Sequence, residues 1–228
     1  MKKILLAGAG LLFISITNAQ FYAQGGLNLA NITKTSNGYT ESNNLLPSFQ
    51  AGFLFRPGLS DEFDIETGLL FTGKGSKAET YFNGGKDYVK SRFNPYYIEM
   101  PVNAVLKFPL SKSTGIFFTG GPYAAIGIGG KATRDTRIGP LTSNESSSIQ
   151  FSNDDPFTSE QDDAAYNKLK RFDFGLNFGG GLMLNHILLR ANYGLGLTKI
   201  NSTESSNNAD DKNKYRVISF SVAIPLSK

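Results

Sequence analysis

A two-residue hydrophobic period recurs in eight long segments of this chain and constrains its fold more than any other feature. The segments are Phe21 to Ile32, Ser48 to Pro57, Phe63 to Lys74, Tyr96 to Phe108, Gly115 to Gly129, Phe172 to Leu184, Ile187 to Leu197 and Tyr215 to Leu226. A period of two puts alternate side chains on opposite faces of a β-strand. Most segments run to about 10 to 13 residues, whereas strands of ordinary globular sheets have about 5 or 6. A tilted strand needs about 9 to 11 residues to cross a bilayer, so the lengths favour strands that span a membrane.

The connections carry a second, independent rhythm. Short ones (Gly58 to Glu62, Pro109 to Thr114, Asn185-His186) alternate with long polar ones (Thr33 to Pro47, Gly75 to Pro95, Gly130 to Arg171, Thr198 to Lys214). Outer-membrane barrels alternate in this way, with tight turns on the periplasmic side and loose loops outside. Both ends of the barrel domain would then lie in the periplasm. The long connections, rich in Ser, Thr, Asn, Asp and Lys, read as mobile, solvated loops. The third, at about 42 residues, exceeds ordinary connection lengths and calls for local structure or a function.

The parity of the charges fixes the facing. One parity is apolar: Phe49, Ala51, Phe53 and Phe55; Phe63, Ile65, Leu69 and Phe71; Ile98, Met100, Val102, Leu106 and Phe108; and similarly through the last three segments. Arg56, Asp64, Glu66, Lys74, Glu99, Lys107, Asp173 and Arg190 occupy the other parity, while Arg216 stands at a segment end on the apolar one. A Lys or Arg facing lipid near the midplane costs about 2 to 4 kcal/mol, so the charged side is expected to line a lumen. The fifth segment is ambiguous, since Phe117 and Tyr123 oppose Ile116, Phe118 and Ile126. A soluble barrel or sandwich fits the alternation too, with the apolar parity turned into a core. Segment length, loop alternation and the run of large aromatics on one face favour the membrane. In hydrocarbon an unpaired strand edge costs several kcal/mol per backbone group, so the sheet must close. The expected fold is all-β, an eight-stranded antiparallel up-and-down transmembrane β-barrel.

Lys2 and Lys3, the apolar run from Ile4 to Ile16 and Thr17-Asn18-Ala19 have the three parts of a secretory signal peptide, with cleavage expected after Ala19 and the barrel domain over 20–228. The apolar run, at about 1.5 Å per residue, is too short to span a bilayer as a helix. With Cys 0, there is no disulfide framework, thiol nucleophile, Cys zinc site or lipoprotein anchor. The net charge of +4 owes half to Lys2 and Lys3, which leaves no phosphate-binding surface for nucleic acid.

Several stretches together carry a family resemblance: Gly25-Gly26-Leu27-Asn28-Leu29-Ala30-Asn31, Glu66-Thr67-Gly68-Leu69-Leu70-Phe71-Thr72-Gly73-Lys74-Gly75, Tyr97-Ile98-Glu99-Met100-Pro101 and Gly120-Gly121-Pro122-Tyr123. In their order and spacing the chain resembles the PorT-like outer-membrane β-barrel family of Bacteroidota, also called porin family proteins. The resemblance implies an eight-stranded barrel, in some members linked to type IX protein secretion. The ending Ile224-Pro225-Leu226-Ser227-Lys228 departs from the terminal aromatic common in such barrels, and Pro225 is expected to close the last ladder.

Eight strands enclose an interior that side chains can fill, so a wide channel is not expected. Counted from the short-turn side, Glu66 and Arg190 lie at similar depth on strands four apart in the ring. They are expected to join a lumenal ion-pair network with Lys107 and Arg56 nearby and Glu99 higher up. Such a network serves either as a plug that satisfies buried charges or as a proton or ion path. The single His186 sits in a tight periplasmic turn, far from outer-leaflet lipid, so His-based hydrolase or acyltransfer chemistry is not expected. Asp154, Asp155, Glu160, Asp162 and Asp163 could offer oxygen ligands to calcium, but their spacing is not that of an EF-hand. No metal site is assigned there. Gly127-Ile128-Gly129-Gly130-Lys131 has the glycines of a phosphate loop without the helix that must follow. The expected protein is non-enzymatic and free of cofactors, with an envelope structural or partner-binding role, or else a narrow transport or small-ligand barrel. Its expected partners are outer-membrane lipids and lipopolysaccharide and an envelope or secretion protein.

Overall fold

The computed structural model describes residues 19–36, 39–42, 45–158, 168–200 and 212–226. The segment before Ala19 expected to be a signal peptide, Glu160, Asp162 and Asp163, and most of the fourth long connection lie outside the described residues. Among the described residues thirteen strands run in chain order: β1 (Gln20–Ser36), β2 (Tyr39–Ser42), β3 (Leu46–Arg56), β4 (Phe63–Gly73), β5 (Ser76–Phe82), β6 (Asp87–Pro109), β7 (Thr114–Ile138), β8 (Leu141–Ser148), β9 (Gln150–Ser152), β10 (Lys168–Lys170), β11 (Phe172–Leu184), β12 (Ile187–Gly196) and β13 (Lys212–Pro225).

Eight of them close a ring. In the order β1, β3, β4, β6, β7, β11, β12, β13, each pairs antiparallel with its chain neighbour, and β13 pairs back onto β1 from Tyr22↔Pro225 to Thr35↔Lys212. No edge of the ring is left open, as hydrocarbon requires. Pro225, which has no N–H to give, is the last residue of the final ladder. The fold is the expected all-β, eight-stranded up-and-down barrel.

The apolar parity faces outward. Phe53 is 60%, Leu69 57% and Val102 44% exposed, while Glu66 on the opposite parity is fully buried. In a soluble fold these exposures would be reversed. Aromatic rings bracket the apolar wall: Phe49, Phe71 and Tyr96 pack together toward the outer rim, and Phe21 with Phe55 and Phe108 with Phe118 near the short turns. These are the girdles of a membrane barrel. The fifth barrel strand, β7, resolves its ambiguity: Phe117 and Tyr123 point into the lumen, at 1% and 4% exposure, and Phe118 and Ile126 face out.

The outer side departs from the expectation of loose loops. Strands β6 and β7 stay paired well above the barrel, up to Tyr88↔Arg137, with β5 added to one edge and β8 to the other. The second and part of the third outer connections therefore form a four-stranded antiparallel arm. Seven residues from Tyr88 to Asn94 lift it about 20 Å above the wall. At its base Gly130, with φ at +151°, passes Asn94 so closely that an added Cβ would lie 2.6 Å from the Asn94 carbonyl oxygen. No side chain fits there. A bulge where Tyr96 and Tyr97 face Gly129 and Gly127 inserts Ile128, so the outward parity of β7 is even below this point and odd above it.

Candidate functional site

The lumen is filled in layers. At the short-turn end Tyr22, Val105, Phe117, Leu188 and Ala223 pack as an apolar floor, and Leu54 and Leu70 of the same cluster rise from it along β3 and β4 to line the cavity above. These residues sit on the inward parity yet carry no charge, so the floor keeps water out at the short-turn mouth.

Above it lies an ionic layer. Glu66 on β4 accepts from Arg190 on the opposite wall through both carboxylate oxygens, at 2.6 and 2.7 Å. Arg56 on β3 donates Nε and Nη2 to the same carboxylate at 2.9 and 2.7 Å, and Asn103 on β6 adds an amide at 3.2 Å. Both guanidinium groups lie against the Phe117 ring, 5.2 and 5.7 Å from its centroid. The ring that left the parity of its strand ambiguous thus serves as the cation-facing surface of the floor.

A second ionic layer stands nearer the outside. Lys74 Nζ lies 2.8 Å from Asp173 and 2.8 Å from Glu99. Tyr123 donates its hydroxyl to Asp173 at 3.0 Å, Thr198 donates at 2.7 Å, and Asn177 donates to Glu99 at 3.1 Å. The ammonium is also 4.2 Å from the Tyr123 ring centroid and within 6 Å of those of Tyr97 and Tyr215. Between the layers a cavity has about 30 Å³ open to the centres of water molecules, lined by Glu66, Arg190, Lys74 and Glu99 among others. Its amide oxygens on Gln24, Asn103 and Asn192 have no protein donor, which makes it a site for one or two waters, not for a solute.

An apolar roof closes the outer mouth. Strands β9 and β10, both from the third outer connection, pair in parallel and bring Ile149, Phe151 and Leu169 over Tyr97, Tyr123 and Tyr215, with Ile200 beside them. The Phe151 ring meets Tyr97 edge to face at 5.6 Å and occupies the space a side chain on Gly127 would need. Lys170, also buried, gives its ammonium to the carbonyl oxygens of Asp155 and Thr158 at 2.6 and 2.5 Å.

The structure thus brings Arg56, Glu66 and Arg190 into one cluster, places Glu99 higher up, and separates Lys107, which was expected beside them. Glu99 belongs to the upper layer. Lys107 is at the short-turn mouth, where it donates to Ser60 O at 2.6 Å and lies 3.4 Å from Asp64, bracing a short turn. The reason is position: Lys107 stands two residues nearer the short turn than Val105 in the floor, and its ammonium emerges below it. Lys74, Asp173 and the three tyrosines of the upper layer were marked in the sequence only by their parity. His186 is exposed in its turn, and Asp154 and Asp155 engage Ser152 and the Phe157 N–H. Among the described residues no three metal-ligating side chains cluster, and no helix is long and apolar enough to cross a membrane.

A closed ring of eight antiparallel strands, apolar outside and ionic inside, defines a bacterial outer-membrane β-barrel protein. The chain belongs to the outer membrane protein beta-barrel domain family, whose model matches residues 17–202. Among solved structures it is similar to Ail, the attachment invasion locus protein of Yersinia pestis, seen in complex with the heparin analogue sucrose octasulfate. Identity there is 12%, over 91% of this chain and 99% of that one, with a TM-score of 0.39. Neisserial surface protein A matches at 12% identity over 91% of this chain and 98% of its own, TM-score 0.39. OprG from Pseudomonas aeruginosa matches at 12% over 92% and 97%, TM-score 0.37. No curated protein matches the sequence.

Proposed function

We propose that this protein is a non-enzymatic outer-membrane barrel that works at the cell surface through its projecting arm, in an envelope-structural or partner-binding role, with both ends of the barrel domain in the periplasm. The observation that carries this reading is the layered lumen. A solute would have to displace an apolar floor, two ionic layers and an apolar roof, and the space between the layers admits only water. The polar groups of the two layers bond one another and leave little for a substrate. What extends from the membrane is the four-stranded arm, whose rigidity far exceeds that of a loop. The PorT-like resemblance makes protein secretion the process in which such an arm or the periplasmic turns would engage a partner.

The test is conductance of the purified protein in planar bilayers. Silence across a wide voltage range is expected. Stable single-channel steps would overturn the reading in favour of a narrow transport barrel.

A further inference from the structure

The two faces of the arm differ in charge. Cross-strand partners share a face, so the rows Tyr81, Tyr88, Arg137 and Thr142; Glu79, Lys90, Asp135 and Asn144; Lys77, Arg92, Thr133 and Ser146; and Asn94, Lys131 and Ser148 all look the same way. This face carries Lys77, Lys90, Arg92, Lys131 and Arg137 against Glu79 and Asp135, five cations to two carboxylates. The opposite face holds Phe93 and Ala132, which join the roof, and above them Arg134 beside Glu145. With Asp87 it has one cation to two carboxylates. One face alone is basic.

The basic face is the outward one. Asn94 and Arg92 continue the parity of Tyr96, which packs with Phe49 and Phe71 on the lipid-facing wall. On β7 the Ile128 bulge brings Lys131, Thr133, Asp135 and Arg137 onto that same side. Lys131 stands three residues above Ile128, an exposed member of the apolar wall, a rise of about 10 Å or less along a tilted strand. The face therefore begins where the hydrocarbon ends and stands over the headgroups of the outer leaflet. Lys90 lies 4.5 Å from the Tyr88 ring centroid and 5.4 Å from that of Tyr81, which stiffens the upper row. Tyr81 donates its hydroxyl to Glu79 at 3.1 Å; this bond, with the Lys77 ammonium, holds the Glu79 carboxyl below its ordinary range, so it offsets one cation, Asp135 across from Lys90 offsets a second, and the face keeps a net excess of positive charge for a ligand.

From this geometry we infer that the outward face of the arm binds the phosphorylated headgroup of an outer-leaflet glycolipid. The inference rests on the reading of the arm as the working part of the protein. Phosphate groups meet Lys131 and Arg92 at the base of the face, and the sugar surface lies along the tyrosines and polar residues above. A soluble polyanion would also find positive charge here, but only a membrane lipid is delivered to this face at this height. Adjacent basic residues near an anionic membrane surface add their attractions, and salt screens them.

The test uses the full chain in detergent micelles, with lipopolysaccharide bearing phosphorylated lipid A as probe and thermal unfolding and titration as readouts. The protein is expected to bind it with an affinity that falls as salt rises. The combined change Lys90→Gln, Arg92→Gln, Lys131→Gln and Arg137→Gln should weaken binding by at least about tenfold. Arg134→Gln, on the other face, should leave it unchanged. Strand content by circular dichroism checks that each variant folds. The inference is overturned if the same lipid stripped of its phosphates binds equally well, if Arg134→Gln weakens binding as much as the fourfold change, or if heparin binds and lipopolysaccharide does not. Absence of lipopolysaccharide binding together with silent bilayers would remove this inference and leave the non-conducting surface role in place.

Discussion

Glu66 answers two guanidinium groups at once and has no exposure to water, which makes it the residue whose loss the barrel should feel most. Glu66→Gln keeps the shape but leaves Arg56 and Arg190 facing each other in a closed interior. Removing one partner of a buried ion pair costs about 3 to 5 kcal/mol, so urea unfolding in lipid vesicles should show a loss of unfolding free energy of that size, read as a lower midpoint at unchanged slope. A change under about 1 kcal/mol would mean that water reaches the guanidinium groups and the layer is not closed. This cluster was legible in the sequence because parity gave the facing and strand position gave the depth. The upper layer was not: Lys74 and Asp173 both stand at the long-connection ends of their strands, but whether a long ammonium meets a short carboxylate across the lumen depends on barrel tilt, which no single strand records. Phe117 escaped for another reason. An apolar ring on the inward parity looks like lipid contact until the guanidinium groups it faces are located.

At the scale of elements, the roof depends on one vacant side-chain position. Phe151 fills the space next to the Gly127 Cα, where an added Cβ would lie 2.2 Å from the ring. Gly127→Val should drive the ring out and detach β9 and β10 from the mouth, while the barrel strands keep their pairing. The expected result is faster amide exchange and proteolysis over 149–158 and 168–170, with strand content retained. Unchanged protection there would show that the roof is held by the backbone bonds Gly127 N–H to Arg171 O and Arg171 N–H to Ser152 O instead. The eight barrel strands were readable because lipid demands an uninterrupted apolar parity. The arm was not, because above the membrane both faces meet water and the alternation that announces a strand disappears. Thr133, Thr136, Tyr81 and Tyr88 hint at β-structure, but the pairing that makes them strands comes from β6 and β7 continuing past the wall. Likewise, the Ile128 bulge moves every later side chain of β7 to the other parity, a shift that periodicity read along one strand cannot anticipate.

Across the whole molecule the two ionic layers complement each other. The lower holds two guanidinium groups and one carboxylate, the upper one ammonium and two carboxylates, and both line the same small cavity. Each layer alone carries one excess charge; together they are neutral. Field lines between them cross a narrow, poorly screened interior, so the layers should stabilise one another across the cavity. Arg190→Met removes the excess cation below, and Glu99→Gln removes the excess anion above. Either change alone strands the opposite layer with its excess charge, whereas the two together leave Arg56 with Glu66 and Lys74 with Asp173 as matched pairs. The double variant should therefore be more stable than the sum of the single losses predicts, by about 0.5 to 3 kcal/mol, the range found for residues in one electrostatic network. The same vesicle unfolding experiment on the four proteins of this cycle measures it. Additivity within about 0.3 kcal/mol would mean that the water between the layers screens them fully and that the interior is two independent plugs, not one balanced unit.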